Sequence, residues 1–159
     1  AQAAYETMFS ILPSVGAGVN FMLHAAGWLE GGLVSSPEKL VMDADQLAMV
    51  HIMQGGVDLS EHGQAMDAIR EVGPGGHFFG VQHTQDRFRD AFYKPMISDW
   101  RNYESWQEGG SPTAVTKTTE LAKTWLEAYR TPAIDETAHE ELKAFVQRRV
   151  SEGGVATDF

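Results

Sequence analysis

Twelve residues, Gly73 to Thr84, hold four glycines, a proline and two histidines between stretches that otherwise carry helical periodicity. Gly73, Gly75, Gly76 and Gly80 with Pro74 cannot continue a helix, so the chain must fold as helical segments on either side of an open loop. Glycines at that density let a ligand or another chain approach the backbone closely, and they hold His77 and His83 where the imidazoles can be reached. The ordinary alternative is a tight turn with two surface histidines.

Acidic residues outnumber basic ones 22 to 12 in 159 residues, a formal net charge of −10. That balance disfavours a phosphate backbone and excludes nucleic acid as the expected partner; a neutral or cationic ligand is easier to bind. Cysteine is absent, which removes disulfides and thiolate metal sites and agrees with a cytoplasmic setting. No apolar run is long enough to span a bilayer, and no basic segment precedes an apolar one at the start, so a soluble, unexported protein without a membrane partner is expected. The length suits a single domain over 1–159. Ala1-Gln2-Ala3-Ala4-Tyr5-Glu6 reads as the middle of a helix with no cap, as in a fragment of a longer polypeptide.

Periodicity predicts a helix to about Leu12, stopped by Pro13, and then a buried strand over Val19–Leu23. Ala25–Ser35 reads as a loop. Ser36 and Pro37 form a cap followed by proline at the first helical position, opening a helix whose apolar residues Leu40, Val41, Leu47, Val50 and Ile52 carry it to Gly55. Ser60 opens a further helix with Met66, Ile69 and Val72 on one side. Past the glycine-rich loop, Thr84 is placed as the cap of a short helix through Phe88 and Phe92, and a second short helix is placed over Ser98–Gln107. Ser111-Pro112 repeats the cap-then-proline start, with Leu121, Trp125, Leu126 and Tyr129 as an apolar stripe. Asp135 starts the last helix, with Leu142, Phe145 and Val146 inward and Arg148-Arg149 at the end where cations suit the dipole. The tail from Gly153 reads as loose.

A strand, a loop with chemistry-bearing residues and a surplus of helices is the pattern left by the carboxy-terminal part of a TIM (β/α)8 barrel followed by extra helices, an α/β class rich in helix. Loops after barrel strands hold the chemistry. On that reading Asn20 and His24 stand at a strand end, with Trp28 and Glu30 beside them. Each also has a plain explanation as core histidine, packed tryptophan or solvated carboxylate.

Taken jointly, Asn20 to Gly32, Glu38-Lys39 with Asp43, Glu71 to Phe78 with His83-Thr84, and Tyr103-Glu104 with Trp106 and Gly109 resemble the trimethylamine methyltransferase superfamily, which includes trimethylamine:corrinoid methyltransferases and relatives acting on glycine betaine and other quaternary amines. The resemblance runs in order along nearly the whole chain and looks like the carboxy-terminal third of such an enzyme. It implies a complete barrel that passes a methyl group from a methylated amine to cobalt in a separate corrinoid protein, with no cofactor bound by this chain itself. It also implies an aromatic environment for a cation, for which Trp28, Phe78, Phe79 and Tyr103 are candidates. Glu30 would supply a compensating charge, and His77 and His83 would donate hydrogen bonds to a substrate carboxylate or to the corrinoid protein. The pyrrolysine position of the trimethylamine branch lies upstream of the matched segment, which leaves the choice of amine open.

Two other classes stay open. His24, Glu30, His77 and His83 can be read as ligands of a metal-dependent hydrolase, although no pair has the i, i+4 helical spacing that supports one. The helices from Ser111 to Arg149 can alternatively form the face of a non-catalytic assembly module. An incomplete barrel exposes edges and apolar surface, so a homo-oligomer is expected.

Overall fold

Helix α2, Pro37–Gln54, organises the fold, and its start is written in the sequence. Ser36 lies in an extended conformation and its hydroxyl accepts from the Lys39 amide, while Pro37 stands where a missing N–H costs nothing. The same hydroxyl donates to Glu38 at 2.7 Å and holds that carboxyl below its ordinary range. Gly55 closes the helix at its far end.

The computed structural model describes residues 1–153, and the part of the tail expected to be loose beyond Gly153 lies outside the described residues. The chain forms two compact units, Ala1–Leu126 and Glu127–Phe159, the second described as far as Gly153. In the first unit α1 (Gln2–Gly16) and a two-stranded antiparallel ribbon of β1 (Trp28–Leu29) and β2 (Val34–Ser35) pack on α2, and the chain continues through the short helices α3 (Glu61–Gln64), α4 (Met66–Val72), α5 (Gln82–Arg87) and α6 (Tyr103–Glu108). Trp28 pairs with Ser35 and Leu29 with Val34 across a tight turn at Glu30–Gly32. Helix α7 spans Ala114–Ala128, and α8, Glu136–Ser151, belongs to the second unit. Among the described residues no helix is long and apolar enough to cross a membrane.

Several expectations are corrected. Val19–Leu23 forms no strand; Phe21 and Leu23 are exposed, because no neighbouring strand offers hydrogen bonds to the segment. Asn20 and His24 therefore do not stand at a strand end. Proline does not stop α1 at Leu12: Pro13 sits within it, near the end, where the carbonyl it orphans is on the exposed turn at Phe9. The helix expected from Ser60 to Val72 breaks at Ala65, which adopts a left-handed conformation (φ 51°) and separates α3 from α4. Thr84 lies inside α5 rather than capping it, and α6 starts at Tyr103 because the Asn102 side chain caps it through the Ser105 amide. Thr113, not Ser111, caps α7, accepting from the Thr116 amide at 3.1 Å. Asp135 does cap α8, through the Ala138 amide.

Apolar burial is sparse and the centre of the first unit is charged. Ile11, Val41, Val50, Ala68, Val81 and Ala122 are buried, whereas Leu40, Ile52, Met66, Ile69, Trp125, Leu126 and Tyr129 are exposed. So are Leu142, Phe145 and Val146, which were expected inward. Lys39, Asp43 and Asp45 take interior positions instead. The Lys39 ammonium lies 2.5 Å and 2.6 Å from the two Asp43 oxygens, with its third bond to Thr7 Oγ1 of α1 at 2.8 Å. Asp43 also accepts from the Gly27 amide at 2.8 Å. One residue pair thus joins α1, α2 and the loop before β1. On the opposite side of α2, Asp45 accepts from the Met96 amide at 2.7 Å and the Ile97 amide at 3.3 Å, fastening the segment after α5.

Removing one member of a buried pair leaves a charge stranded in low dielectric. Asp43→Ala is expected to lower stability by about 3–5 kcal/mol, and Lys39→Met with Asp43→Leu to cost clearly less, in urea unfolding of the whole chain. At the surface, Arg101 and then Lys117 bond Asp99 and hold its carboxyl well below its ordinary 3.8. A depressed folded value stabilises above the unfolded one and loses that contribution as pH falls below about 4. Thermal midpoints at pH 7 and pH 3 should differ less for Asp99→Asn than for the unsubstituted chain.

Candidate functional site

A cleft of about 430 Å³ opens between α1 and the loop Met22–Gly32, with the Lys39–Asp43 pair at its base. Its volume falls within the range of small-molecule sites. The loop is held in place by its backbone. Gly27 adopts φ +84°, donates to Asp43, and receives the Ser36 amide on its carbonyl at 3.1 Å. His24 (φ 57°) and Glu30 (φ 51°) are left-handed although neither is glycine, and such residues cluster where surrounding structure fixes a working geometry.

Three sequence candidates meet in this cleft. His24, Trp28 and Glu30 all line it, and the imidazole meets the Trp28 indole edge to face with centroids 4.6 Å apart. Glu6 of α1 faces the same space, its carboxylate accepting from the Gln2 amide at 2.8 Å. The charged lining is therefore Glu6, Glu30 and Asp43 against Lys39. Since Asp43 neutralises Lys39, the two remaining carboxylates leave the cleft net acidic.

The other candidates lie elsewhere. Asn20 is exposed before the cleft loop and outside its lining. His77 tilts against Phe79 with centroids 5.6 Å apart, and Phe78 and Phe79 are both exposed. The glycine-rich loop uses its glycines unequally: Gly73 and Gly75 have positive φ, a Cβ on Gly76 would lie 2.6 Å from the Val72 carbonyl oxygen, and Gly80 meets neither constraint. His83 sits in a second, smaller hollow beside His62, whose carbonyl is 2.8 Å from His83 Nε2. Tyr103 begins α6, exposed and tilted against Trp106 at 5.8 Å. Among the described residues no group of three or more His, Asp or Glu could hold a metal ion, so His24, Glu30, His77 and His83 do not assemble into the ligand set a hydrolase would need.

Lys39 and Asp43 entered the sequence reading only as part of the family pattern, without a role, and Glu6 did not enter it as a site residue. The first two carried a signal, an i, i+4 opposite-charge pair just inside a capped helix start. Glu6 carried none, because only the packing of α1 on α2 brings it to the loop.

These features define a helix-rich chain with a polar, net-acidic cleft of small-molecule size. The family model described as trimethylamine methyltransferase (MTTB) matches residues 1–154, and the chain belongs to that family. It is 38% identical to the glycine betaine methyltransferase of Desulfitobacterium hafniense strain Y51 over 97% of this chain and 32% of that protein. With the trimethylamine methyltransferase MttB of Methanosarcina barkeri the identity is 32%, over 92% of this chain and 29% of that protein. A trimethylamine methyltransferase MttB of Desulfitobacterium hafniense strain DCB-2 is 28% identical over 98% of this chain and 31% of its own length. The chain thus spans about a third of the length of these curated relatives.

Left-handed backbone with a side chain costs about 1–2 kcal/mol. Gly27→Ala should lower stability by roughly that amount and Gly80→Ala by less than about 0.5 kcal/mol, as read from chemical denaturation of both variants.

Proposed function

We propose that this chain contributes to a methyltransferase that takes a methyl group from a methylated amine and delivers it to the cobalt of a separate corrinoid protein. Family membership supports the reaction class. The observation that carries the substrate reading is the cleft, where Trp28 and two uncompensated carboxylates, Glu6 and Glu30, surround a space sized for a small cation. An indole attracts a quaternary ammonium by about 0.5–2 kcal/mol, depending on desolvation, and the carboxylates add an attraction that a neutral amine would not feel. In the whole protein the chain would stand within a barrel of eight strands and helices, with the remaining two thirds covering apolar side chains that the first unit leaves exposed, such as Phe21, Leu23 and Ile69.

The chemistry asked of this chain is modest. Reduced cobalt on the corrinoid protein supplies the nucleophile, and no residue of this chain is asked to hold the corrinoid itself. Trp28, Glu30 and Glu6 hold the ammonium nitrogen so that one methyl points out of the cleft. As the methyl carbon departs to cobalt, the C–N electron pair returns to nitrogen: a quaternary ammonium leaves as a tertiary amine, and trimethylamine, which must arrive protonated to carry the same charge, leaves as dimethylamine. That step needs no proton, so His24 orients the Trp28 ring instead of acting as an acid. Loss of positive charge at nitrogen also weakens cation–π attraction and favours product release.

Two measurements test this. Titration of the chain with tetramethylammonium, glycine betaine and trimethylamine, followed by amide and indole NMR shifts, should move Trp28, Gly31 and Gly32, and Trp28→Ala or Glu30→Gln should weaken binding several-fold. Absence of shifts at these residues with every amine removes the substrate site from this cleft. Separately, the longer protein containing this sequence, mixed with a reduced corrinoid protein, should change the cobalt absorption with one amine of the panel. No change, with the corrinoid shown competent by a chemical methyl donor, overturns the reaction.

A further inference from the structure

Helix α8 presents an apolar stripe that nothing in its own unit covers. Leu142, Phe145 and Val146 follow i, i+3, i+4 spacing and are 54%, 51% and 57% exposed, with Ala138 extending the stripe one turn earlier. His139, Leu142 and Val146 line a shallow hollow along one side of it. Stripes of this kind are rarely left to water on a helix with a sharply charged flank.

The flank identifies the occupant. Glu141 and Arg148 lie seven residues apart, so both fall on the same edge of the stripe, one at its acidic end and one at its basic end. The helix as a whole is polarised in the same sense, with Glu136, Glu140 and Glu141 in its first half and Arg148 and Arg149 in its last turn. The Arg148 guanidinium lies 5.6 Å from the Phe145 ring centroid, which keeps its charge beside the apolar surface, and Arg149 is already paired with Glu152 at 2.9 Å.

We infer that α8 binds a second copy of itself, antiparallel, about a two-fold axis near its middle. In that arrangement Leu142 of each copy packs against Phe145 of the other, and Glu141 of each copy faces Arg148 of the other, giving two identical ion pairs. A parallel pair would place Glu141 opposite the uncharged Val146 and forfeit both. Sixteen residues give a helix about 24 Å long. Such a contact falls below the roughly 1,200–2,000 Å² of standard interfaces, so the dimer is reversible and concentration-dependent.

Sedimentation equilibrium of the whole chain over a hundredfold concentration range tests this, with helix content checked by circular dichroism. The unsubstituted chain should associate as a monomer–dimer, Phe145→Asp should be monomeric, and Glu141→Arg or Arg148→Glu alone should weaken association at least tenfold. Glu141→Arg combined with Arg148→Glu restores opposite charges at both positions and should recover the dimer. A chain that stays monomeric, a dimer indifferent to the single charge changes, or a double variant no better than either single one would overturn the proposal. The first of these results would assign the stripe to another part of a longer polypeptide.

Discussion

The buried pair between Lys39 and Asp43 is the interaction on which the first unit depends. Its ammonium binds Thr7 of α1 and its carboxylate binds the Gly27 amide, so two residues one turn apart define how a helix and a loop approach α2. Apolar contacts could not do this as specifically, since they tolerate sliding and rotation. Charge inside a small protein is costly unless every lone pair and proton is used, and here the Thr7 hydroxyl oxygen and the Gly27 amide, from two other segments, complete the set. The cleft inherits its shape from this arrangement: its base is the ion pair, one wall is α1, and its rim is the loop that Gly27 anchors.

The pair also determines the electrostatics above it. A lone lysine at the base would favour an anion. With Asp43 against it, the outer carboxylates Glu6 and Glu30 dominate, and the field in the cleft favours a cation over an anion. Asp45 makes a complementary use of the other side of α2, where successive amides of Met96 and Ile97 satisfy a carboxylate with no cation in reach. Two acidic residues two positions apart thereby hold two different parts of the chain.

What the sequence made legible was local. Caps at Ser36 and Asp135 and the stop at Gly55 are decided by bonds spanning three or four residues, and each is found where it was expected. Burial depends on distant partners, and there the periodicity misled: Leu40 and Ile52 face out of α2 while Lys39 and Asp43 face in. Val19–Leu23 has the composition of a strand without neighbours to make it one. His24, Trp28 and Glu30 line one cleft because they share one loop. His77, His83 and Tyr103 belong to the same family pattern but to other segments, and their proximity in sequence order did not translate into proximity in space.

The scarcity of buried apolar side chains has a calorimetric consequence. The heat-capacity increment of unfolding comes from apolar surface newly wetted and is offset by polar surface. A unit whose largest fully buried side chains include Asp43, Asp45 and Thr118 beside Val41 wets little hydrocarbon when it opens. Its free-energy curve is therefore broad and shallow in temperature, and cold weakens it less than it weakens a hydrocarbon-filled domain of the same length.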